Sequence, residues 1–103
     1  MKLLLISPEG LHYEQEVTGF VYDSRTGQKT VLADQIETLS FFEYTQLSIL
    51  SGEKSEIFYI ALGYVLVKEG ESKIVAKIVS KDETEASERY HQLINKAIRR
   101  DAL

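Results

Sequence analysis

Two histidines, His12 and His91, and a scatter of carboxylates are the groups in this chain with acid–base chemistry to offer. His91 follows Tyr90 on a stretch of helical period, and His12 precedes Tyr13 just after a turn. Both read first as solvated side chains rather than as a general base or a metal pair. There is no glycine loop ending in lysine, no dinucleotide glycine fingerprint and no serine elbow. The absence of cysteine removes disulfides, thiolate zinc sites and cysteine nucleophiles. The carboxylates fall in turns and along the C-terminal stretch, where solubility accounts for them. Tyr59 and Tyr64 could line a ligand pocket, but tyrosines in an apolar strand are first of all core residues. The pattern predicts no catalytic residue, no metal, no nucleotide site and no cofactor, hence a protein that is not an enzyme by itself.

The framework for these residues is organised around Glu56–Val67, EIFYIALGYVLV. Ile57, Tyr59, Ala61 and Gly63 fall on one face of an extended chain and Phe58, Ile60, Leu62 and Tyr64 on the other. With both faces apolar, this is a buried central strand, and it is too short to cross a bilayer as a helix. Gly63 marks a bulge, a bend or a close backbone approach, with the strand continuing as Tyr64–Lys68. A length of 103 residues that is 44% hydrophobic and 10% aromatic fits one core. The net charge of −4 repels a phosphate backbone and excludes nucleic acid as a partner. Met1–Ile6 is apolar but too brief for a signal peptide, so a cytoplasmic location is expected.

Taken in order, Lys2–Ile6 is a strand, and Ser7-Pro8-Glu9-Gly10 has the residue preferences of a type I turn that opens a hairpin. Leu11–Glu16 alternates weakly. Val17–Asp23 is a strand in which Gly19 suggests a bulge, Ser24-Arg25-Thr26-Gly27 is a turn, and Thr30–Leu32 a short strand. Ile36–Leu50 is read as two strands separated by a turn near Glu43–Thr45. Ser51–Lys54 and Lys68–Ser72 close hairpins on either side of the central run, and Lys73–Ser80 is the last strand. Short strands at this spacing predict an antiparallel β-sandwich or barrel.

At Ser80 the period changes. Ser80-Lys81-Asp82-Glu83 has capping-box spacing with Ser80 as the cap. Ala86, Tyr90, Leu93, Ile94 and Ala97 then form one helical stripe. Acidic residues crowd the first turns and Lys96, Arg99 and Arg100 the last, complementing the helix dipole. The fold class is therefore mainly β with a C-terminal helix (α+β), an antiparallel sandwich over residues 1–80 and a single helix over 81–103. Ala86, Tyr90, Leu93 and Ala97 are expected to pack the helix on the sandwich.

The start of the chain, KLLLISPEGLHYEQEV, resembles the epsilon subunit of rotary F-type ATP synthases, called delta in mitochondria. Pro8, Glu9, Gly10, Tyr13, Glu16 and Val17 match that family's opening pattern. Gly63 and Val67 match its aromatic strand, with Leu62 in place of the first of two glycines. The family's glycine-rich loop corresponds to Gly27–Glu37, where both prolines and the histidine are replaced, so its rigidity is not kept. Only one helix fits after Ser80, where members of the family often carry a hairpin of two. The chain is thus similar to a divergent or specialised member.

The resemblance implies a non-catalytic central-stalk subunit of an F-type or F-like rotary ATPase. Its partners would be a gamma-like rotor shaft, catalytic alpha and beta chains, and a membrane ring or a replacement for it. It would lie peripherally on the inner face of the cell membrane with no direct insertion. By position, Ser7, Gln35 and Ser40 are implied on the shaft-facing side, and Gln28 and Lys29 at a loop tip facing the ring. Some members bind ATP through an apolar residue, Asp, two residues, Arg and Ala. Here Asp82 and Ala86 fit, while Lys81 takes the apolar place and Glu85 that of arginine, which implies no nucleotide binding. The alternative is a free-standing sandwich adaptor that binds a peptide or small ligand at a sheet edge or at Phe41, Phe42 and Tyr44.

Overall fold

The computed structural model describes residues 1–33, 37–52 and 54–101, with side chains up to residue 98. Seven strands, β1 (Lys2–Ser7), β2 (Gly10–Glu16), β3 (Gly19–Ser24), β4 (Gly27–Leu32), β5 (Thr38–Ser51), β6 (Lys54–Lys68) and β7 (Glu71–Ser80), precede one helix, α1 (Glu83–Asp101). They hydrogen-bond in the order β2-β1-β7-β6-β5-β3-β4, which puts β6, the apolar run, at the centre. All neighbours are antiparallel except β1 and β7, which pair in parallel because β1 is laid beside the last strand rather than joined to it by a turn.

One sheet of this order becomes a sandwich by folding over along a single row. Phe42 pairs with Gly63 and Tyr44 with Ala61, while Glu43 and Leu62 between them are unpaired. Gly63 pairs with Ala76 and Ala61 with Ile78, with Leu62 and Lys77 skipped. At that row each strand changes the face it buries. Phe42, Val65, Val67, Ile74 and Ala76 lie in the main core on one side of it, and Leu47, Ile49, Phe58, Ile60 and Val79 on the other. In β5 the buried positions thus switch from even to odd numbers, which strict alternation along a strand forbids without a local break. The break in β6 is visible as Leu62 at φ 60.

The result is two leaves joined by three long strands. The first leaf holds β2, β1, the halves of β5 and β7 that precede this row and the half of β6 that follows it; the second holds β4, β3 and the remaining halves. The leaves meet through aromatic contacts, Tyr13 edge-on to Phe58 at 5.8 Å and Tyr22 to Phe42 at 6.4 Å. Phe20, Phe42, Leu3, Leu5, Leu47 and Ile60 are almost wholly removed from water. Burial of side chains this size stabilises by about 1.5–3 kcal/mol each.

Two sequence expectations are corrected here, and a third is explained. The two strands and turn expected over Ile36–Leu50 are, over the described residues, one strand: β5 runs unbroken from Thr38 to Ser51, and what resembled a change of strand at Glu43–Thr45 is the reversal of buried parity at the fold row; Ile36 lies outside the described residues. Gly19 is not a bulge; a Cβ there would stand 2.4 Å from the Val31 carbonyl oxygen, so glycine is needed for close passage of β4. The weak alternation of β2 comes from a bulge, since Tyr13 pairs with Leu5 and Leu11 with Ile6, leaving His12 out of the ladder.

The helix cap is also two residues later than its spacing predicts. Asp82 Oδ1 accepts the amides of Thr84 at 2.9 Å and Glu85 at 3.3 Å, and the Ser80 hydroxyl accepts the amide of Asp82 at 3.0 Å. Asp82 is therefore the N-cap, and Ser80, still paired in β7 with Tyr59, positions it. Helix α1 lies on the outer face of the second leaf. Ala86 is fully buried there with Ala61 and Ile78, and Tyr44, Tyr59, Leu62, Tyr90 and Leu93 close around them. Ala97, expected on the same stripe, is exposed: it falls outside this cluster, which ends at Leu93.

Candidate functional site

With α1 covering the second leaf, the outer face of the first leaf is left open, and its side chains are mainly apolar. Cross-strand registers place Leu11, Ile6, Val75, Tyr64 and Phe41 in one row across β2, β1, β7, β6 and β5. The next row holds Leu4, Lys73, Leu66 and Leu39. Leu11, Leu39 and Phe41 are 57%, 54% and 52% exposed, and Ile6, Tyr64, Leu66 and Val75 are half-buried. Phe41 and Tyr64 meet edge to face at 6.4 Å. A contiguous apolar row of this length on an otherwise charged domain is the mark of an interaction surface. It exists because β5, β6 and β7 are apolar on both faces over this stretch, while only one face can turn to the core.

The polar residues expected at a shaft contact are placed differently. Ser7 is 6% exposed; its hydroxyl bonds His12 Nε2 at 2.6 Å and accepts the amide of Glu9 at 3.1 Å. The His12 ring is thereby engaged in the fold rather than solvated. Ser40 is half-buried, and its hydroxyl shares a hydrogen bond with that of Tyr22. Both serines spend their hydroxyls inside the domain. Gln35 lies outside the described residues. Gln28 and Lys29 are not at a loop tip but exposed on β4, opposite Asp23 and Tyr22; the tip is Arg25-Thr26, between Ser24 and Gly27. Phe41, Phe42 and Tyr44 do not form one surface, because Phe41 faces out, Phe42 is in the core and Tyr44 lies under α1.

The groups with shifted titration are structural. Burial raises the phenol of Tyr22, with the Ser40 hydrogen bond opposing it; burial and then Glu56 raise Tyr13; burial, then Glu83 and Tyr59, raise Tyr44. Lys2 is raised by its hydrogen bond and ion pair with Glu14 at 3.0 Å. Among the described residues no cluster of three or more His, Asp or Glu side chains stands close enough to hold a metal. Likewise, no helix among them is long and apolar enough to cross a membrane. An open cleft of about 690 Å³ lies between the β3–β4 hairpin and the start of β5, with Tyr22, Lys29, Val31 and Ser40 on its walls.

The architecture defines a class: a β-sandwich domain carrying one docked helix and one open apolar sheet face. The profile of the family described as ATP synthase, Delta/Epsilon chain, beta-sandwich domain matches residues 1–82. The chain belongs to that family. Among curated proteins none matches it. Among solved structures it is similar to a chain of the Tetrahymena thermophila mitochondrial ATP synthase central stalk and c-ring, at TM-score 0.68 and 14% identity over 77% of this chain and 64% of that one. It is also similar to a chain of the Euglena gracilis mitochondrial ATP synthase, in an assembly of OSCP, F1 and c-ring, at TM-score 0.70 and 22% identity over 75% of this chain and 50% of that one. It spans less than two thirds of the length of either.

The site that position-by-position reasoning missed is the apolar row. Its signal was present as the two-faced apolar pattern of Tyr64–Val67. Without the fold row at Leu62, nothing told which face stays outside.

Proposed function

We propose that the chain is a non-catalytic central-stalk subunit of an F-type or F-like rotary ATPase, joining a gamma-like shaft to the membrane ring or to a replacement partner. The observation that carries this reading is the open apolar face of the first leaf on a domain of the delta/epsilon family. The two solved relatives belong to ATP synthase assemblies that include the c-ring, one of them named for the central stalk, which is the setting such a face suits. Leu39, Phe41, Tyr64, Ile6 and Leu11 would bury against the shaft, so that torque passes through a packed apolar contact rather than through chemistry. Ser7 and Ser40 border this face and hold the strand ends and the Tyr22 contact behind it. Gln28 and Lys29, exposed on β4, would face the ring or its replacement. The assembly would hold the chain on the inner face of the cell membrane without inserting it.

Purification of the native assembly through this chain tests the reading. Alpha, beta and gamma chains of a rotary ATPase should co-purify with it, and the isolated chain should not turn over ATP. Recovery without any rotary ATPase chain, or turnover that survives repurification, would overturn it.

A further inference from the structure

A second surface lies at the fold row, where α1 meets the β1–β2 turn. A cleft of about 600 Å³ there has Pro8, Ile78 and Leu93 on its walls. Glu9 and Arg89 on its wall pair with each other, and the charge left over is that of two lysines. Lys77 and Lys96 stand exposed at the cleft, and among the described residues neither takes part in an ion pair. Arg89 is already engaged, reaching Glu9 at 2.8 Å, which ties α1 to the β1–β2 turn and fixes one wall of the cleft. In a chain of net charge −4 this is a local basic rim around an apolar floor.

The helical wall is regular. Arg89, Gln92, Leu93 and Lys96 recur at i, i+3, i+4 and i+7, the spacing that presents one ridge and groove to a second helix. We propose that this cleft receives an amphipathic helix with acidic flanks from another protein chain. Its apolar residues would seat on Ile78 and Leu93, its carboxylates would meet Lys77 and Lys96, and Gln92 and Asn95 would bond its polar edge. This surface is separate from the apolar row of the first leaf, and it holds whether or not that row binds a shaft.

The probe is a designed helical peptide of about twenty residues, long enough to hold helix in water. It carries leucine at i, i+4 and i+7 and glutamate on both flanks; its control has lysine at every glutamate. Each is titrated into the full chain, with binding read by calorimetry and its place by amide NMR shifts. The acidic peptide should bind saturably and shift Ile78, Leu93 and Lys96, and the lysine peptide should not bind. Lys77→Glu with Lys96→Glu, checked for an unchanged fold by circular dichroism, should weaken the acidic peptide at least about ten-fold. The proposal is overturned by no binding, by equal binding of both peptides, or by shifts centred on Phe41. It is equally overturned if the double variant has no effect, or if inorganic phosphate alone saturates the same residues and displaces the peptide.

Discussion

At position 63 the space left for a side chain is negative. A Cβ on Gly63 would stand 1.8 Å from the Val75 carbonyl oxygen and 2.8 Å from the Ala76 Cα, both backbone atoms of β7 that cannot swing away. Gly63→Ala must push apart β6 and β7 at the fold row, and it is expected to cost at least about 3 kcal/mol, the upper range for overpacking. Urea denaturation measures it, and a loss below 1 kcal/mol by that measure, on the order of an ordinary surface change, would show that the row can relax. Next to it, Leu62 holds φ 60, a backbone state that costs a non-glycine residue about 1–2 kcal/mol. The side chain offsets this by packing under α1 with Tyr44 and Tyr90. That accounts for the leucine where the resembled family has glycine.

Tyr13, Tyr22 and Tyr44 titrate higher in the fold than in the open chain, in each case chiefly because burial disfavours the phenolate. A group raised on folding lends its stability in full below its unfolded value, about 10 for tyrosine, and loses it as pH rises through the folded value. Denaturation midpoints should therefore fall as pH rises above about 10. Tyr22→Phe should flatten part of that fall, although it leaves Ser40 without its partner. A midpoint independent of pH across this window would contradict the burial of these rings.

The helix and the strands were legible to different degrees, and the reason is what each depends on. The helical period after Ser80, the acidic first turn and the stripe through Ala86, Tyr90 and Leu93 are local signals, and α1 follows them. Its cap is not legible locally, because Ser80 and Asp82 are both capping residues and only the pairing of Ser80 in β7 decides between them. Asp82→Ala should cost about 1 kcal/mol and fray the first turn. Ser80→Ala should cost less, since it removes only the bond to the Asp82 amide. Thermal melts followed by helix ellipticity separate the two, and equal losses would return the cap to Ser80. In β5, by contrast, local alternation misled: the parity reversal at Glu43 is imposed by the row it shares with Leu62 and Lys77, residues far along the chain. The parallel pairing of β1 with β7 is equally non-local, and no turn residue announces it.

On the scale of the whole molecule, the fold row sets the surfaces. It sends the apolar residues of β5, β6 and β7 to the core on one side in the first leaf and the other in the second. One outer face is then covered by α1 and the other is left bare. The matched residues at the start of the chain pointed to the family, which the profile over residues 1–82 bears out, but the polar residues chosen for the shaft contact came from position alone. Ser7 illustrates the difference, since at 6% exposure a charged substitution there disrupts the fold rather than a contact.

The central claim, that the bare face of the first leaf is the surface by which the chain joins a rotor, is tested most directly by Phe41→Glu. Phe41 is 52% exposed and outside the core, so the variant should lose no more than about 1.5 kcal/mol of stability, the range for losing its ring pair with Tyr64. Affinity for the co-expressed gamma-like subunit, measured by interferometry on the purified chains, should then fall at least about ten-fold, as a charge in place of an aromatic contact of the row implies. An affinity unchanged by Phe41→Glu in a stably folded domain would contradict the account.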